Sequence, residues 1–310
     1  MNDSMNDTPK ILITGVNGQV GFELTRALAP LGHIIALDRA QLDLRDEQAI
    51  TDALNQHQPD IIVNPAAYTA VDKAETDAQT AFSINATAPA AMAQWTRKNE
   101  ALLVHYSTDY VFDGEKPDAY IEDDNINPQS VYGHTKQQGE DVIRNLPERH
   151  VILRTRWVYG AYGNNFLKTM LRLAAERDAL SIVNDQIGAP TSAALIADVT
   201  AHIVRDYIEY GDEFIDACTG TYHLTAAGST SWHGYAQHII ALAEAAGMPL
   251  KIQAADVQGI PSSAYPTPAK RPHNSRLNTE KLQTTFDLKL PTWQDGVNHA
   301  FAMIKNNTKQ

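Results

Sequence analysis

The stretch Ile11-Leu-Ile-Thr-Gly15-Val-Asn-Gly18-Gln-Val-Gly21 decides the fold of this chain. Its apolar start predicts a buried strand, and the residues that follow have the periodicity of an amphipathic helix. Gly15 permits a tight turn, Gly18 lets a phosphate approach the backbone, and Gly21 allows the helix to pack closely on the strand. Because the first N–H groups of such a helix face an anion, we expect a dinucleotide site here rather than a turn without a ligand.

The next predicted strand ends at Asp38, about 20 residues beyond the glycine loop. An acidic side chain at this distance binds the adenosine ribose hydroxyls, which favours NADH. The following residue, Arg39, suits the 2′-phosphate of NADPH instead. The sequence therefore leaves both cofactors open.

Short apolar runs alternate with amphipathic stretches through the first half of the chain. Runs typical of strands buried on both faces cover residues 10–14, 33–37, 60–64, 102–106 and 150–154. Helical patterns cover residues 19–29, 47–55, 80–98 and 130–145. Such regular alternation favours an α/β fold with a doubly wound parallel sheet, Rossmann-like, over a mixed α+β domain.

The second half is less regular and predicts a separate lobe. Its helical patterns cover residues 165–176, 195–207, 232–246, 278–282 and 293–304, and a strand pattern covers 221–224. We expect residues 1–9 to be a disordered tail and residues 10–157 to form mainly the dinucleotide-binding domain. Residues 158–310 should form mainly a smaller α/β substrate lobe, with segments that return to the Rossmann domain. This lobe would cover the carboxyl edge of the sheet, where ligands of such sheets bind.

The composition of the 310 residues narrows the class of protein. With 37 acidic and 25 basic residues, the formal net charge is −12, which argues against a nucleic-acid partner. We find no run of about 18 apolar residues and no secretory signal pattern, so we expect no membrane association. The single cysteine, Cys218, excludes an internal disulfide and fits a cytoplasmic protein.

Tyr132 and Lys136 stand on one face of a predicted helix, in Tyr132-Gly-His-Thr-Lys136. A cation one turn away favours the phenolate and should lower the pKa of Tyr132 from its usual value of about 10. A tyrosine and a lysine at this spacing are common on helix surfaces, so the pair alone carries little weight. However, Thr108 comes directly after the strand at 102–106, which should place its hydroxyl at the cofactor crevice. A hydroxyl, a phenol and an ammonium at a dinucleotide site predict carbonyl reduction.

The glycine spacing Gly-x-x-Gly-x-x-Gly is the one found in extended short-chain dehydrogenases/reductases. Beyond it, the chain resembles the dTDP-4-dehydrorhamnose reductase family, for example in His-Tyr-Ser-Thr-Asp-Tyr-Val-Phe-Asp at 105–113. The other resembling segments are residues 15–23, 63–75, 154–159, 164–173, 184–191 and 263–281. The likeness thus runs from the first predicted strand to the last helix and includes the second half.

The resemblance implies reduction of the C4 keto group of dTDP-4-dehydro-6-deoxy-L-mannose to dTDP-L-rhamnose by NADPH or NADH, the last step of dTDP-rhamnose biosynthesis. Tyr132 would be the general acid, Lys136 would assist it, and Thr108 would tune the tyrosine and touch the sugar. Asp109 and Trp157 would also contact the nucleotide sugar. The implied and deduced dinucleotide site comprises Gly15, Gly18, Gln19, Val20, Gly21, Asp38, Arg39, Asp43, Leu44, Pro65, Ala66, Ala67, Tyr132 and Lys136.

Several of the expected substrate residues have a plainer interpretation beside the functional one. Trp157 follows the fifth predicted strand, so its ring either packs on the ligand or is buried in the core. Asn184 and Gln186 lie in the polar turn 184–191, which suits either a substrate loop or simple turn and capping chemistry. Arg271, in a proline-rich loop, would pair with the substrate pyrophosphate if the resemblance holds.

The chain departs from the family at a metal site. Some members dimerise around magnesium held by glutamates from three places; Glu23 matches the first, but Ala194 and Gln294 stand at the other two. One carboxylate per chain is a poor magnesium site, so we expect no metal and either a monomer or a metal-independent homodimer. Arg156 also stands where a small residue is more usual. The 11 histidines show no zinc-type spacing.

Two other functions stay open from the sequence. A reductase or epimerase of another nucleotide sugar would share the arrangement of Tyr132, Lys136 and Thr108. A non-catalytic dinucleotide-binding regulatory subunit, such as the one associated with methionine adenosyltransferase, would need the glycine loop but neither Tyr132 nor Lys136, and both are present. A general NAD-binding protein would not account for the matches in the second half.

Overall fold

The computed structural model describes residues 8–145 and 149–307, so nearly all of the predicted tail at residues 1–9 lies outside the described residues. The strands are β1 (Lys10–Thr14), β2 (His33–Leu37), β3 (Ile61–Asn64), β4 (Leu102–Thr108), β5 (His150–Thr155), β6 (Val158–Tyr159), β7 (Ser181–Val183), β8 (Ile187–Gly188), β9 (Thr191–Ser192), β10 (Gly220–His223), β11 (Thr230–Ser231) and β12 (Gln258–Ile260). The α-helices are α1 (Gln19–Leu28), α2 (Glu47–His57), α3 (Val71–Ala74), α4 (Ala78–Phe82), α5 (Ala88–Asn99), α6 (Val131–Asn145), α7 (Phe166–Glu176), α8 (Ala193–Tyr210), α9 (Asp212–Cys218), α10 (Trp232–Ala245), α11 (Glu280–Thr285) and α12 (Trp293–Asn307).

Six strands form one parallel sheet in the order β10-β5-β4-β3-β1-β2. The chain begins near one side of this sheet at β1, turns to β2 at the edge, and then continues through β3, β4 and β5 in the opposite direction. Ligands of such sheets bind where the winding direction changes, at the carboxyl ends of the strands. The predicted doubly wound, Rossmann-like α/β sheet is confirmed. Because the winding direction changes between β1 and β3, we expect a ligand at the carboxyl ends of these two strands.

Helices cover both faces of the sheet, and the strands are apolar for that reason. Successive strand residues point to opposite faces. Ile11 and Ile13 pack with Leu24 of α1 on one face, whereas Leu12 packs with Met92 of α5 on the other. All five side chains are fully buried. Burial on both faces explains why β1 has an unbroken apolar run instead of an alternating pattern.

Parts of the second half complete the same layers. β10 pairs with β5, with Tyr222 opposite Leu153, and α8 packs against α1. A separate apolar cluster joins α7, α10 and α12 through Leu167, Ile239 and Val297. In the described part of the chain, no helix has both the length and the apolar character that a bilayer crossing requires.

The helix predicted at residues 80–98 contains a π-helical turn in the structure. α4 ends at Phe82, the π-helix Ser83–Thr87 follows, and α5 begins at Ala88. Pro89 has no N–H to give to the carbonyl of Asn85 one turn earlier. That carbonyl instead faces α6, where a Cβ atom on Gly139 would lie only 2.2 Å from it. The predicted helix at residues 80–98 is therefore confirmed, and a proline and a close helix–helix approach give it a π-helical turn.

β4 is longer than predicted. Its ladder with β5 continues through Ser107 and Thr108, which pair with Arg154 and Thr155. The predicted end of this strand at Tyr106 is therefore wrong by two residues. Thr108 keeps the place expected for it, since it is now the last residue of the strand at the carboxyl edge.

Candidate active site

A cleft of about 660 Å³ opens along the carboxyl ends of β1, β3, β4 and β5. Its walls come from the glycine loop, the ends of these strands, the start of α6 and the start of α10. The lining residues are Gly15, Asn17, Gly18, Gln19, Val20, Gly21, Arg39, Pro65, Ala66, Ala67, Thr69, Val71, Tyr106, Ser107, Thr108, Asp109, Tyr110, Tyr132, Lys136, Thr155, Arg156, Trp157, Val158 and Trp232. A cleft of this size and chemistry fits a cofactor together with a small substrate.

The glycine loop is built so that only glycine fits at two positions. Gly15 has a φ of +57°, and a Cβ atom on it would lie 2.8 Å from Ala66 Cβ. A Cβ atom on Gly21 would lie 2.3 Å from the Gly15 carbonyl oxygen. α1 starts at Gln19, and no side chain caps its first N–H groups at Gly18. These free N–H groups at the wall of the cleft suit the pyrophosphate of a dinucleotide.

A second cavity of about 270 Å³ adjoins the glycine loop and is lined in part by Leu42, Asp43 and Leu44. It shares Gly15 and Arg39 with the main cleft. An adenosine lying across the loop would extend from one cavity into the other, past Arg39. The structure thus brings together the predicted loop, the residues after β2 and the residues after β3.

Asp38 lines neither cavity. Its carboxylate accepts hydrogen bonds from Asn17 Nδ2 at 3.1 Å, from the Ala40 N–H at 2.9 Å and from the Gln41 N–H at 3.1 Å. Asp38 therefore joins the glycine loop to the turn after β2. Arg39, next to it, is the residue at the cavity wall.

Tyr132, Lys136 and Thr108 all line the cleft. Tyr132 and Lys136 lie one turn apart at the start of α6, and Thr108 ends β4. The Thr108 hydroxyl is close enough to the Tyr132 hydroxyl to favour the phenolate form. The Thr108 hydroxyl also lies 3.1 Å from Asp109 Oδ1, and the Tyr110 ring meets the Tyr132 ring edge-on at 5.4 Å between centroids. The start of α6 and the end of β4 thus bring a phenol and a hydroxyl to the same wall of the cleft.

The pKa of Tyr132 differs from the sequence-based expectation. Burial raises the pKa of Tyr132 above its ordinary value, and the nearby Thr108 side chain only partly opposes this. The predicted lowering by Lys136 is therefore wrong for this structure, because the Lys136 ammonium is bonded elsewhere. Since a proton donor must carry its proton at working pH, a raised pKa suits a general acid for reduction.

Lys136 is 1% exposed and is held on the sheet side of the cleft. Its Nζ atom donates to the carbonyl of Tyr106 at 2.6 Å and lies 3.0 Å from His105 Nε2. Burial lowers the pKa of Lys136 to about 8, although the charge of Glu140 acts in the opposite direction. The amine can thus gain or lose a proton close to neutral pH.

Aromatic rings and one buried arginine form the other end of the cleft. The Trp157 ring stacks on the Trp232 ring at 3.7 Å between centroids, and Trp157 has a φ of +42°. The Arg156 guanidinium carbon lies 4.2 Å from the centroid of Trp157, and its Nη1 donates to the Ile187 carbonyl at 3.0 Å. Burial lowers the pKa of Arg156 to about 10, so the group stays charged at neutral pH. Trp157 lines the cleft and is not buried in the core.

Three predicted substrate residues do not line the cleft. The Arg271 guanidinium donates to Asp72 Oδ2 at 2.6 Å and to the Tyr110 hydroxyl at 3.0 Å. Asn184 packs on Gly259, and Gln186 lies in the turn between β7 and β8. Arg271 nevertheless reaches the cleft indirectly, because Tyr110 is a lining residue.

Sequence reasoning missed several lining residues, among them Thr69, Tyr110, Thr155 and Trp232. Thr155 ends β5 opposite Thr108, so the rule that strand ends meet at one edge was a usable signal for it. Trp232 gave no such signal. It starts α10, far along the chain, and only the tertiary fold brings it to Trp157.

The metal site of the family has no counterpart among the residues that the structure describes. Within residues 8–145 and 149–307, no cluster of three histidine, cysteine or acidic side chains is placed to hold a metal ion. The carboxylate of Glu23 instead accepts from Arg26 Nε at 3.1 Å. Arg26 also bonds Asp198 on α8 at 2.9 Å, so this corner of α1 carries a surface ion-pair network.

A parallel sheet with this glycine loop, and with a tyrosine and a lysine one helical turn apart at its carboxyl edge, defines an extended short-chain dehydrogenase/reductase. The model of the family described as the RmlD substrate binding domain matches residues 9–306. The chain therefore belongs to that family.

Relatives with a described activity support the same assignment. The dTDP-4-dehydrorhamnose reductase of Escherichia coli strain K12 is 48% identical over 291 residues, which are 93% of this chain and 95% of that protein. A crystal structure of a dTDP-4-dehydrorhamnose reductase from Clostridium acetobutylicum has a TM-score of 0.85 and 36% identity, covering 96% of this chain and 99% of that one. The dTDP-4-dehydrorhamnose reductase of Bacillus anthracis, solved in complex with NADP, has a TM-score of 0.84 and 34% identity with coverage of 96% and 99%.

Proposed function

We propose that this chain is an NAD(P)H-dependent dTDP-4-dehydrorhamnose reductase, which reduces the C4 keto group of the sugar to give dTDP-L-rhamnose. The observation that carries the proposal is that Tyr132, Lys136 and Thr108 line one cleft together with the glycine loop. The 48% identity to the Escherichia coli enzyme supports this substrate over other nucleotide sugars.

Tyr132, Thr108 and Lys136 would each have a different role in carbonyl reduction. A bound nicotinamide supplies a hydride for the carbonyl carbon. Tyr132 gives its hydroxyl proton to the carbonyl oxygen, and its raised pKa keeps that proton available. Thr108 would donate its hydroxyl hydrogen to the same oxygen, which stabilises the charge that develops there. Lys136 has the position to bind the cofactor and to support Tyr132 from the sheet side.

The dinucleotide would lie with its pyrophosphate on the uncapped N–H groups of the first turn of α1 and its adenosine along Arg39 and Leu44. Asp43 and Ala66 complete this end. Because Arg39 lines the cavities and Asp38 does not, we propose NADPH as the better ligand, with NADH also accepted.

The sugar would bind between Thr108 and the tryptophans. Asp109 Oδ2 and Arg156 Nε are buried and have no hydrogen-bond partner among the described residues. An acceptor and a donor left unpaired at a cleft wall fit the hydroxyls of a sugar ring. Trp157 and Trp232 offer flat apolar faces beside them.

We further propose which part of the chain binds each ligand, and in which oligomeric state the chain acts. Residues 10–157 would bind mainly the dinucleotide, and residues 158–310 would contribute mainly to the substrate side, with β10 and α8 returning to the Rossmann layers. The chain would act as a monomer or as a homodimer without a metal bridge. The Glu23–Arg26 ion pair, and the absence of a carboxylate at Ala194 and Gln294, support this.

The test is a product analysis. Enzymatically prepared dTDP-4-dehydrorhamnose is incubated with the protein and NADPH or NADH, cofactor oxidation is followed by absorbance, and the product is identified by chromatography. We expect dTDP-L-rhamnose in amounts equal to the cofactor consumed. If the cofactor is oxidised only with another nucleotide sugar, that sugar is the substrate. If the cofactor binds but no sugar is reduced, a regulatory subunit is favoured.

A further inference from the structure

Behind Lys136 lies a buried chain of three polar residues on three neighbouring strands. Thr14 Oγ1 of β1 lies 2.6 Å from Asn64 Oδ1 of β3, and Asn64 Nδ2 lies 3.1 Å from His105 Nδ1 of β4. His105 Nε2 then lies 3.0 Å from Lys136 Nζ. Each of the four side chains is 1% exposed or less. Because an unpaired polar group in such a place costs free energy, every donor in the chain needs an acceptor.

The imidazole of His105 has only one donor and one acceptor to offer. Burial and the neighbouring Lys136 both keep the pKa of His105 well below its ordinary value, so the ring is neutral. In a neutral imidazole, one nitrogen carries a hydrogen and the other a lone pair. The role of Nε2 toward Lys136 is therefore fixed by what Nδ1 does toward Asn64.

Asn64 can present either end of its amide to His105 without any change of shape. With the amide nitrogen toward His105, Nδ1 accepts, and the Nε2–H points at Lys136, where only a neutral amine can accept it. With the amide oxygen toward His105, Nδ1 donates, and Nε2 accepts a hydrogen bond from the Lys136 ammonium. The hydroxyl of Thr14 pairs with either end, since it both donates and accepts.

We propose that His105, backed by Asn64, is a positioning residue that orients Lys136 and sets its affinity for a proton. While Lys136 is an ammonium, His105 Nε2 accepts from it and Asn64 turns its oxygen to Nδ1. When Lys136 is a neutral amine, the opposite arrangement is also allowed, in which His105 Nε2–H donates to the amine and the Asn64 amide nitrogen donates to Nδ1. This inference rests on the proposed function, in which Lys136 supports proton transfer by Tyr132.

The other groups around Lys136 cannot adapt in this way. The carbonyl oxygen of Tyr106 accepts a hydrogen bond from Lys136 Nζ, and a carbonyl oxygen cannot donate one in return. The carboxylate of Glu140 favours the charged amine, but it is already bonded to Arg154 and Arg144. Tyr132 faces the cleft from the same helix as Lys136. With Tyr106 and His105 each taking one N–H, one N–H of the ammonium is left for the cleft.

The test follows the protonation of Lys136 directly, by NMR of the full-length protein labelled with 13C-lysine. The Lys136 signal is assigned by its loss in Lys136→Met. In His105→Asn the shorter amide still reaches Asn64 but leaves no acceptor for the Lys136 ammonium. The titration midpoint of Lys136 should therefore fall by about one pH unit or more. His105→Gln still offers an amide oxygen to Lys136, and its midpoint should stay near that of the unmodified protein.

The matched control is Thr200→Val, which removes a buried hydrogen bond to the Tyr106 hydroxyl at 2.6 Å, next to His105 on the same strand. It should leave the Lys136 midpoint unchanged. If His105→Asn does not fold, Asn64→Leu is the alternative, because it removes the hydrogen-bond partner of His105 Nδ1. It should also lower the titration midpoint of Lys136.

The alkaline limb of the pH profile of kcat/KM should move with the lysine midpoint. A folded His105→Asn protein whose Lys136 titrates like the unmodified one would overturn the inference, whatever its activity. The NMR titration needs no substrate. Failure of the reductase assay with a shifted lysine would therefore count against the proposed function and leave this inference standing.

Discussion

Arg156 Nε lies 4.0 Å from Asp109 Oδ2, and both atoms are buried at the wall of the cleft without a hydrogen-bond partner among the described residues. The separation is too long for a direct hydrogen bond. A single hydroxyl group placed between them would donate to the carboxylate and accept from the guanidinium. The pair thus marks a position where a sugar hydroxyl would be held.

Replacing Arg156 should weaken the binding of the nucleotide sugar. In Arg156→Met the side chain keeps its apolar stem but loses the charged donor, and a hydrogen bond to a charged group is worth about 1.5–3 kcal/mol. We expect KM for the nucleotide sugar to rise by roughly 10- to 100-fold while Kd for NADPH stays unchanged. Arg172→Met, which removes an exposed ion pair with Glu176, is the control and should alter neither constant. An unchanged KM in Arg156→Met would remove Arg156 from the substrate site.

The glycine loop should not tolerate a side chain at its third glycine. In Gly21→Ala the new Cβ would lie 2.3 Å from the Gly15 carbonyl oxygen, so α1 must move away from the loop. Kd for NADPH and NADH should each rise by about tenfold or more, a loss of about 1.4 kcal/mol, as measured by fluorescence titration. Gly160→Ala is the matched control, because its nearest contact would be an ordinary 3.6 Å from Ala193 Cβ. Equal cofactor affinity in both variants would show that the loop does not hold the pyrophosphate.

Arg39 should distinguish the two cofactors. It lines both cavities, where a 2′-phosphate would gain a charged partner. Arg39→Ala should therefore raise Kd for NADPH by about tenfold and leave Kd for NADH nearly unchanged. Arg205→Ala, at a surface ion pair with Asp206, controls for the change in net charge. A parallel loss for both cofactors would place Arg39 against the pyrophosphate and not the ribose.

Because of Glu140, the free energy of unfolding should fall as the pH is lowered into the acid range. Its buried carboxylate bonds Arg154 at 2.9 and 2.7 Å, and although burial alone would raise its pKa, Arg154 holds it at about 2. The stabilisation is thus fully present above about pH 4.5, the ordinary pKa of a glutamate, and is lost as pH falls toward about 2.

In Glu140→Gln the buried Arg154 loses its counter-ion, so the free energy of unfolding in urea should fall by about 3–5 kcal/mol at pH 7. Between pH 4.5 and 2 the variant should also lose less stability than the unmodified protein. Glu176→Gln, at an exposed pair with Arg172, should change stability by about 0–1 kcal/mol. Equal effects of the two substitutions would contradict a stabilising role for the buried pair.

Much of the fold and the centre of the site follows from local patterns. The predicted strand at residues 10–14 has the bounds of β1, Gly15 makes the tight turn after it, and Gly21 lies at the close contact between α1 and that turn, as predicted. Tyr132 and Lys136 were found because helical spacing places them on one face. Thr108 was found because parallel strands end at a common edge, even though β4 is two residues longer than its apolar run.

The rest depends on tertiary contacts that no local pattern encodes. Asp38 was expected at the ribose, but its carboxylate is bonded to the backbone of its own turn. Arg271 was expected at a pyrophosphate, but Asp72 lies across the fold from the proline-rich loop and binds it. Trp232 reaches the cleft only because α10 packs beside Trp157. The cytoplasmic location and the site assignments stay predictions.

The most direct test of the central claim follows the hydride into the sugar. The protein is supplied with dTDP-4-dehydrorhamnose and NADPH that carries deuterium at the transferable position of the nicotinamide, and the product is examined by NMR and mass spectrometry. We expect dTDP-L-rhamnose with one deuterium, located at C4. Tyr132→Phe should bind NADPH normally while turnover falls by about 100- to 10,000-fold, as expected when a general acid is removed. A product without deuterium at C4, or turnover in Tyr132→Phe equal to that of the unmodified protein, would contradict the account.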